Sequence, residues 1–311
     1  MSIDAWLQQR STPQTEATLL GRRITGVVSW NMNDSCNYRC SYCTQRHMPD
    51  RTGTLEEIEQ TLLAFSTLPG HWEFKLSGGE PFQQPGLDAI VSGLVAMGHC
   101  ISVQTNFSAN ESRLLSFLEA TRGALNLFSA SLHLEYADAR SFLDKYQIVQ
   151  PFEKDGLRFH ITTVGVPDRL VQIRDEIEPF FRKHNLVFKV QPEKVGGYLR
   201  DYSPEQKQIL LELGGHNQTG LIAHNFQGKL CHSGTNYIVI KSTGEAFRCY
   251  PASRVGGQFA RLGSLSEGIT LLDGARICPY TYCNCTVPIQ RGMIEGVSHD
   301  LQTTTKETDV H

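Results

Sequence analysis

No apolar run in this chain reaches the roughly 18 residues that a membrane-spanning helix requires. The richest stretch, AIVSGLVAMGHCISV, is interrupted by serine, glycine and histidine. The opening residues, MSIDAWLQQRSTPQ, include an aspartate and lack an apolar segment, so they do not read as a secretory signal. An excess of one charge is also missing. Lys+Arg number 29 and Asp+Glu 32, a net −3, which argues against a nucleic-acid binder held by a basic face. No glycine-rich GxGxxG follows any strand-like run, and there is no internal repeat. The expected setting is cytoplasmic, with no membrane and no nucleic-acid partner.

What is present is an ordinary globular composition, 40% hydrophobic and 20% charged, over 311 residues. That length allows two domains, or one large α/β domain with an appendage. Nine cysteines are the informative excess. A cytosolic chain does not accumulate cysteine for disulfides, so clustered thiols read as metal ligands or catalytic groups. Cys36, Cys40 and Cys43 form one group and Cys231, Cys249, Cys278, Cys283 and Cys285 another, with Cys100 alone in an apolar run as a core residue.

β-branched apolar runs at 24–30, 72–76, 101–105, 128–134, 158–164 and 186–190 predict strands. Helical patterns lie between them. Residues 54–68 open with the capping box Thr54-x-x-Glu57, and 85–97 start at Pro85 and stop before Gly98. Residues 110–120, 136–150 and 168–184 follow, the last carrying a kinking Pro179. Strand–helix units in series imply parallel strands joined by right-handed crossovers. Six units fall short of the eight that close a full barrel. The fold class is therefore α/β, an incomplete (β/α)6 parallel barrel with a small, loop-rich C-terminal β-hairpin module. Its hairpin is expected at 236–241 and 245–250, after a helix capped by Ser203-Pro204-x-Gln206. The domains are an N-terminal extension 1–23, the barrel 24–215, the cysteine-bearing module 216–297 and a disordered polar tail 298–311.

Cys36-x3-Cys40-x2-Cys43 lies in the loop after the first strand, where short spacing lets three thiolates face one metal centre. Three ligands leave a coordination position open, which suits reactive chemistry. Structural zinc with His47 as fourth ligand is the alternative. One unit later comes Ser77-Gly78-Gly79-Glu80-Pro81, at a strand end that faces the same mouth. Its glycines permit close backbone approach to a ligand, and Glu80 offers an acceptor for an ammonium group.

Here the chain resembles the radical S-adenosylmethionine (radical SAM) superfamily. Cys36, Cys40 and Cys43, with Tyr42 before the third, match its cluster motif. Residues 77–81 match the segment that binds the methionine amine. Gln104-Thr105-Asn106 resembles the family's ribose or carboxylate contact, Ser129-Ala130-Ser131 its ribose-side segment and Val164-Gly165-Val166 its adenine contacts. The resemblance covers about residues 24–200. It implies a [4Fe–4S] cluster on the three cysteines, with S-adenosylmethionine on the fourth iron. It also implies cofactor contacts from Tyr42, Ser77, Gly78, Gly79, Glu80, Pro81, Gln104, Asn106, Ser131 and Val164. Reductive cleavage of the cofactor would release a 5′-deoxyadenosyl radical that takes a hydrogen atom from substrate. An electron donor such as flavodoxin or ferredoxin is then the expected partner.

Cys231-x12-Gly244-x4-Cys249 resembles the auxiliary-cluster modules, SPASM or twitch, carried by some members. One auxiliary [4Fe–4S] cluster is expected, on Cys231, Cys249, Cys283 and Cys285, with Cys278 as a substitute; two clusters in all. A zinc ribbon is the alternative. Cys278, as the spare thiol, is the candidate hydrogen-atom donor to a substrate radical. His133, Glu135, Gln191 and Glu193 follow strands and are candidate substrate contacts, while Arg46 and Lys75 are candidates for the cofactor carboxylate. The barrel begins too early for a leader-peptide-binding domain, which favours a sugar- or aminoglycoside-like substrate, oxidised or epimerised, over a peptide. A peptide maturase, a structural zinc module and an Fe–S electron carrier are the rivals.

Overall fold

The computed structural model describes residues 17–45, 47–48, 54–196, 198–213, 225–283, 285 and 287–297. Arg46 and the tail 298–311 lie outside them. The N-terminal extension enters as a hairpin, β1 (Ala17–Leu19) and β2 (Arg22–Ile24), turning at Leu20-Gly21 with φ of 51° and 73°. The barrel then alternates strand and helix. Its first half is β3 (Gly26–Asn31), α1 (Leu55–Ser66), β4 (Trp72–Ser77), α2 (Leu87–Ala96), β5 (Cys100–Thr105) and α3 (Glu111–Ala120). The second half is β6 (Leu125–Ser131), α4 (Ala139–Val149), β7 (Arg158–Gly165), α5 (Leu170–Gln172), α6 (Glu178–Lys183) and β8 (Phe188–Pro192). Strands β3 to β8 pair in sequence order and in parallel, as a right-handed α/β series requires.

Local signals act where the sequence placed them. Thr54 Oγ1 accepts from the Glu57 N–H while Glu57 Oε2 accepts from the Thr54 N–H, so both halves of the capping box are made. Asn110 and Asp138 cap α3 and α4 through their side chains alone, accepting from N–H groups of the first turn. The irregularity expected at Pro179 takes the form of a π turn, Ile173–Ile177, between α5 and α6. Helix α2 starts two residues later than expected, because Gly86 adopts a left-handed φ of 69° ahead of it.

Strand alternation sorts the layers. Val28, Trp30, Phe74, Leu76, Ile101, Val103, Phe128 and Ile161 face the helices and pack on Phe65, Leu94, Phe117 and Phe142 in the main core. The opposite face is polar. Glu73, 1% exposed, accepts from Ser102 Oγ (2.7 Å), Asn126 Nδ2 (3.0 Å) and Arg291 Nη2 (2.5 Å). Burial works to raise this carboxyl, but the Lys75 and Arg291 charges and the hydrogen bonds hold it at about 2.

After β9 (Lys194–Val195), β10 (Tyr198–Leu199) and α7 (Pro204–Leu213), the C-terminal region adds β11 (Leu230–Cys231), β12 (Tyr237–Ile240) and β13 (Glu245–Phe247). Then come α8 (Tyr250–Val255), β14 (Arg261–Ser264), β15 (Gly268–Ile269), β16 (Arg276–Ile277) and α9 (Val287–Gln290). The expected hairpin is β12–β13. Strand β12 also pairs in parallel with β3, so this region extends the barrel sheet to ten strands in the order 15-14-13-12-3-4-5-6-7-8. Within the described residues, barrel and module share one sheet.

Candidate active site

The loops at the C-terminal ends of β3, β4, β5 and β6 are strapped to one another. The Gly79 N–H donates to Asn33 O (2.8 Å) and the Glu80 N–H to Ser35 O (2.7 Å), so the glycine loop lies directly on the cysteine loop. A Cβ at Gly79 would collide with the Ser35 carbonyl, and one at Gly78, whose φ is +134°, would stand 2.5 Å from Asn33 O. The two glycines are thus required for loop-on-loop contact as well as for approach to a ligand.

A cavity of about 360 Å³ opens above these loops. Cys36, Cys40, Cys43, Tyr42, Ser77, Gly78, Gly79, Gln104, Asn106, Ser131, Val164 and His133 all line it. These are most of the residues singled out from the sequence, and they come from five strand ends. Asn31, Tyr38, Thr44, Gln45 and Tyr250 line it too and were missed. Asn31 continues the inward alternation of Val27 and Ser29, a signal that was available in the sequence.

Glu80 and Pro81 stand behind the wall. Glu80 is 0% exposed, and its carboxylate accepts from Thr105 Oγ1 (2.6 Å), the Asn106 N–H (2.7 Å) and the Phe82 N–H (3.0 Å). The expected ammonium contact is corrected here. This carboxylate joins the β4 and β5 loops, and it is Asn106 that reaches the cavity, with Nδ2 3.7 Å from Cys36 Sγ and 2.9 Å from Asn37 Oδ1. Burial raises the Glu80 carboxyl against these hydrogen bonds.

The loop after β6 clamps the cysteine loop from the other side. His133 Nδ1 lies 2.8 Å from the Tyr42 hydroxyl and 3.3 Å from Cys40 Sγ. Burial lowers its pKa, which keeps the imidazole neutral. Glu135 accepts from the Ser41 N–H (3.0 Å) and hydroxyl, and Tyr136 stacks on Tyr38 at 4.2 Å while its hydroxyl accepts from the Arg39 N–H. Glu135, expected to touch substrate, instead anchors the cysteine loop. Burial raises the thiols of Cys36 and Cys40, the latter to about 11. Cluster ligation would reverse this by stabilising the thiolates.

A second cavity, about 870 Å³, shares Asn31, Tyr42, Cys43, Thr44 and Gln45 with the first. Its far wall is Glu193, Lys194, Val195 and Gly196 after β8, with Lys241, Ser242, Thr243 and Arg254 of the C-terminal region. Glu193 lines it, but both its carboxylate oxygens accept from Arg200 (2.8 and 3.0 Å). Gln191 lines neither cavity, nor does Lys75, whose ammonium sits 3.9 Å from Glu73.

The five C-terminal thiols are buried together with Tyr237, Met293 and Ile294. The β11–β16 ladder sets Leu230 opposite Ile277 and so draws Cys231 toward Cys278. Cys249 caps α8 through the Ala252 N–H. Among the charges acting on these thiols, Cys249 feels Cys231 and Cys283, and Cys283 feels Cys285, Cys231 and Cys278. Cys285 also stands 3.0 Å from the Tyr237 hydroxyl and under the influence of Lys75 and Lys194. Cys278 lines neither cavity and its thiol points at Tyr280 O, so a direct hydrogen transfer from it to a substrate is not what this geometry offers. Among the described residues no three His, Cys, Asp or Glu side chains converge as the ligands of a single metal ion do.

Comparison with known proteins agrees with this arrangement. Residues 30–154 match the Radical SAM superfamily. A GTP 3′,8-cyclase of Stenotrophomonas maltophilia is 31% identical over 115 residues, 34% of each chain. Another, of Actinobacillus succinogenes, is 24% identical over 214 residues, 56% of this chain and 62% of that one. The chain spans about a third of the first of these relatives. Among solved structures, anSMEcpe with bound AdoMet and the Kp18Cys peptide superposes with a TM-score of 0.53 at 16% identity, covering 77% of both chains. Streptococcus suis SuiB bound to S-adenosylmethionine gives 0.54 at 14%, covering 78% of this chain and 63% of that one. These two share the α/β fold. Among the described residues no helix is long and apolar enough to cross a membrane.

Proposed function

We propose that this chain, whose residues 30–154 match the Radical SAM superfamily, cleaves S-adenosylmethionine reductively and removes a hydrogen atom from a C–H bond of a small polar molecule. The observation that carries the reading is convergence. Three closely spaced cysteines, the Gly78-Gly79 loop and the ends of β5, β6 and β7 line one cavity of about 360 Å³. Bound there, a [4Fe–4S] cluster and S-adenosylmethionine supply a 5′-deoxyadenosyl radical.

The protein's own part is positioning and exclusion of water. Cys36, Cys40 and Cys43 would hold the cluster. Ser77, Gly78 and Gly79 would receive the methionine end, Gln104, Asn106 and Ser131 the polar atoms of the cofactor and Val164 its adenine. The Tyr42–His133 pair braces the floor. The 870 Å³ cavity is the seat for substrate, and the rim it shares with the first is where the reacting C–H bond belongs. Oxidation or epimerisation of a sugar-like carbon is the chemistry we favour. The similarity to GTP 3′,8-cyclases supports a second reading, in which the polar substrate is a purine nucleotide.

An auxiliary [4Fe–4S] cluster completes the proposal, held by Cys231, Cys249 and Cys283, whose charges act on one another, with Cys285 or Cys278 as the fourth ligand. Five thiols buried together are more than a four-ligand cluster needs. A flavodoxin or ferredoxin would supply the electron. Anaerobic reconstitution should give about eight irons per chain, and Cys36, Cys40 and Cys43 changed together to Ala should leave about four. The wild type with dithionite and S-adenosylmethionine should form 5′-deoxyadenosine. A triple variant that keeps all its iron sinks the proposal.

A further inference from the structure

The C-terminal thiols have a buried cation among them. Arg248 lies between β13 and α8, directly before Cys249, and is 2% exposed. Its main-chain N–H donates to Ala260 O at 2.9 Å, but its side-chain Nε is buried without a hydrogen-bond partner. None of the ion pairs made among the described residues includes it. Arg291, also well buried, is by contrast paired with Glu73 at 2.5 Å. A Cβ at Gly234 would stand 3.1 Å from Arg248 Cβ, so the chain just beyond Cys231 closes over the stem of this side chain. Its charge reaches the thiols. Burial raises Cys249 and Cys278, and Arg248 works against that rise at both, as it does at the Tyr280 hydroxyl.

A guanidinium taken out of water without a counter-charge is strongly destabilising, and it cannot escape by losing its proton. Neutral thiols offer it no anion. Four thiolates around a [4Fe–4S] core do, because the two positive charges of the core leave a dianion. We propose that Arg248 is the buried counter-charge of the auxiliary cluster and holds its reduction potential up. Net charge, hydrogen bonds and exposure set the potential of such a cluster, and here the fixed cation is the charge the chain supplies. One-electron reduction converts [4Fe–4S]2+ to [4Fe–4S]+ and adds a further negative charge to the site, with no bond made or broken. A cation held in place in a desolvated site stabilises that reduced state more than the oxidised one. Arg248 thus acts through the cluster, not on substrate. This role rests on the auxiliary-cluster reading given above.

Potentiometric titration with dithionite as reductant, followed by electron paramagnetic resonance, tests it. The full chain is used with Cys36, Cys40 and Cys43 changed together to Ala, so that the signal comes from the auxiliary cluster. In that background Arg248→Met should lower the electron affinity at least about tenfold, a fall in midpoint of about 59 mV for a one-electron couple. Arg248→Lys keeps the charge and should recover most of the shift. Arg261→Met removes an exposed cation from the neighbouring strand β14 and should leave the midpoint where it was. An unmoved midpoint in Arg248→Met, with about four irons retained, overturns the role. A Lys variant as low as the Met variant also overturns it, since shape and not charge would then matter. Iron lost from Arg248→Met but kept by Arg248→Lys supports the counter-charge; iron lost from both assigns Arg248 to packing and overturns it. If the triple-cysteine background itself holds zinc, or no metal, the auxiliary-cluster reading falls and takes this role with it. If that background holds its iron while the Arg248 variants fail, only the role of Arg248 falls.

Discussion

Glu80 offers the sharpest test of how the cofactor cavity is built. Its Oε1 accepts from the Thr105 hydroxyl and the Phe82 N–H, and its Oε2 from the Asn106 N–H, with no exposure to solvent. In Glu80→Gln the amide oxygen can occupy the Oε1 position and keep two donors satisfied. The amide NH2 then meets the Asn106 N–H, donor against donor. An unmet buried donor costs about 1–3 kcal/mol, so Glu80→Gln should lose about that much stability. Glu80→Ala strands all three donors and should lose about 3–6 kcal/mol after partial relaxation. Guanidinium unfolding of the reconstituted protein, with and without S-adenosylmethionine, measures the loss, and equilibrium dialysis follows cofactor affinity. Because Asn106 also touches Cys36, affinity should fall alongside stability. An unchanged unfolding midpoint combined with a tenfold loss of cofactor affinity would refute the argument, since it would return Glu80 to a direct contact with the ammonium group.

Two further outcomes follow from the same structure. His99 is buried, its Nδ1 accepting from the Trp72 N–H at 3.1 Å, and burial followed by the His71 charge lowers its pKa from 6.5 to about 4. The unfolded chain therefore takes up this proton first as pH falls. Stability should drop by up to about 3 kcal/mol between pH 6.5 and 4. His99→Asn, which keeps an acceptor for Trp72, should flatten that window in pH-dependent denaturation, and a slope identical to wild type would discard the assignment. Gly79→Ala places a methyl against the Ser35 carbonyl, so reconstituted iron and cofactor affinity should both fall. Iron content and dialysis equal to wild type would show that the two loops are not packed as described.

The barrel was legible because its signals are local and agree with one another. The capping boxes at Thr54–Glu57 and Ser203–Gln206 are made, and the parallel order follows from alternating strand and helix. The errors have physical causes. The fourth barrel strand was expected at 128–134 and runs Leu125–Ser131. Leu132 and Leu134 are apolar enough to read as strand, but the chain leaves the sheet there, so His133 and Glu135 swing over to the cysteine loop. Contacts with the cysteine loop overrode a propensity. The pairing of β12 with β3 could not be read at all. Nothing in Tyr237–Ile240 separates an independent hairpin from one that joins a strand some two hundred residues earlier.

The smaller and the larger cavity differ in legibility for one reason, the distance in sequence over which each is assembled. The first is lined mainly by residues immediately following consecutive parallel strands, and every such residue faces the same mouth by the geometry of the fold. Spacing therefore pointed to Cys36 and Ser77, and the family resemblance, following the same strand ends, to Gln104, Ser131 and Val164. The second is closed by Lys241 and Arg254, which reach the mouth only because β12 is laid against β3 and carries β13 and α8 with it. Neither charge was singled out in the sequence. The same docking sets the surroundings of the C-terminal thiols. Cys285 stands 3.0 Å from the Tyr237 hydroxyl and feels the Lys75 and Lys194 charges, while its own charge still acts on Cys283. The β11–β16 ladder meanwhile draws Cys278 toward Cys231. Spacing in the sequence could not show that approach, because it is made by pairing two short strands that are distant in the chain.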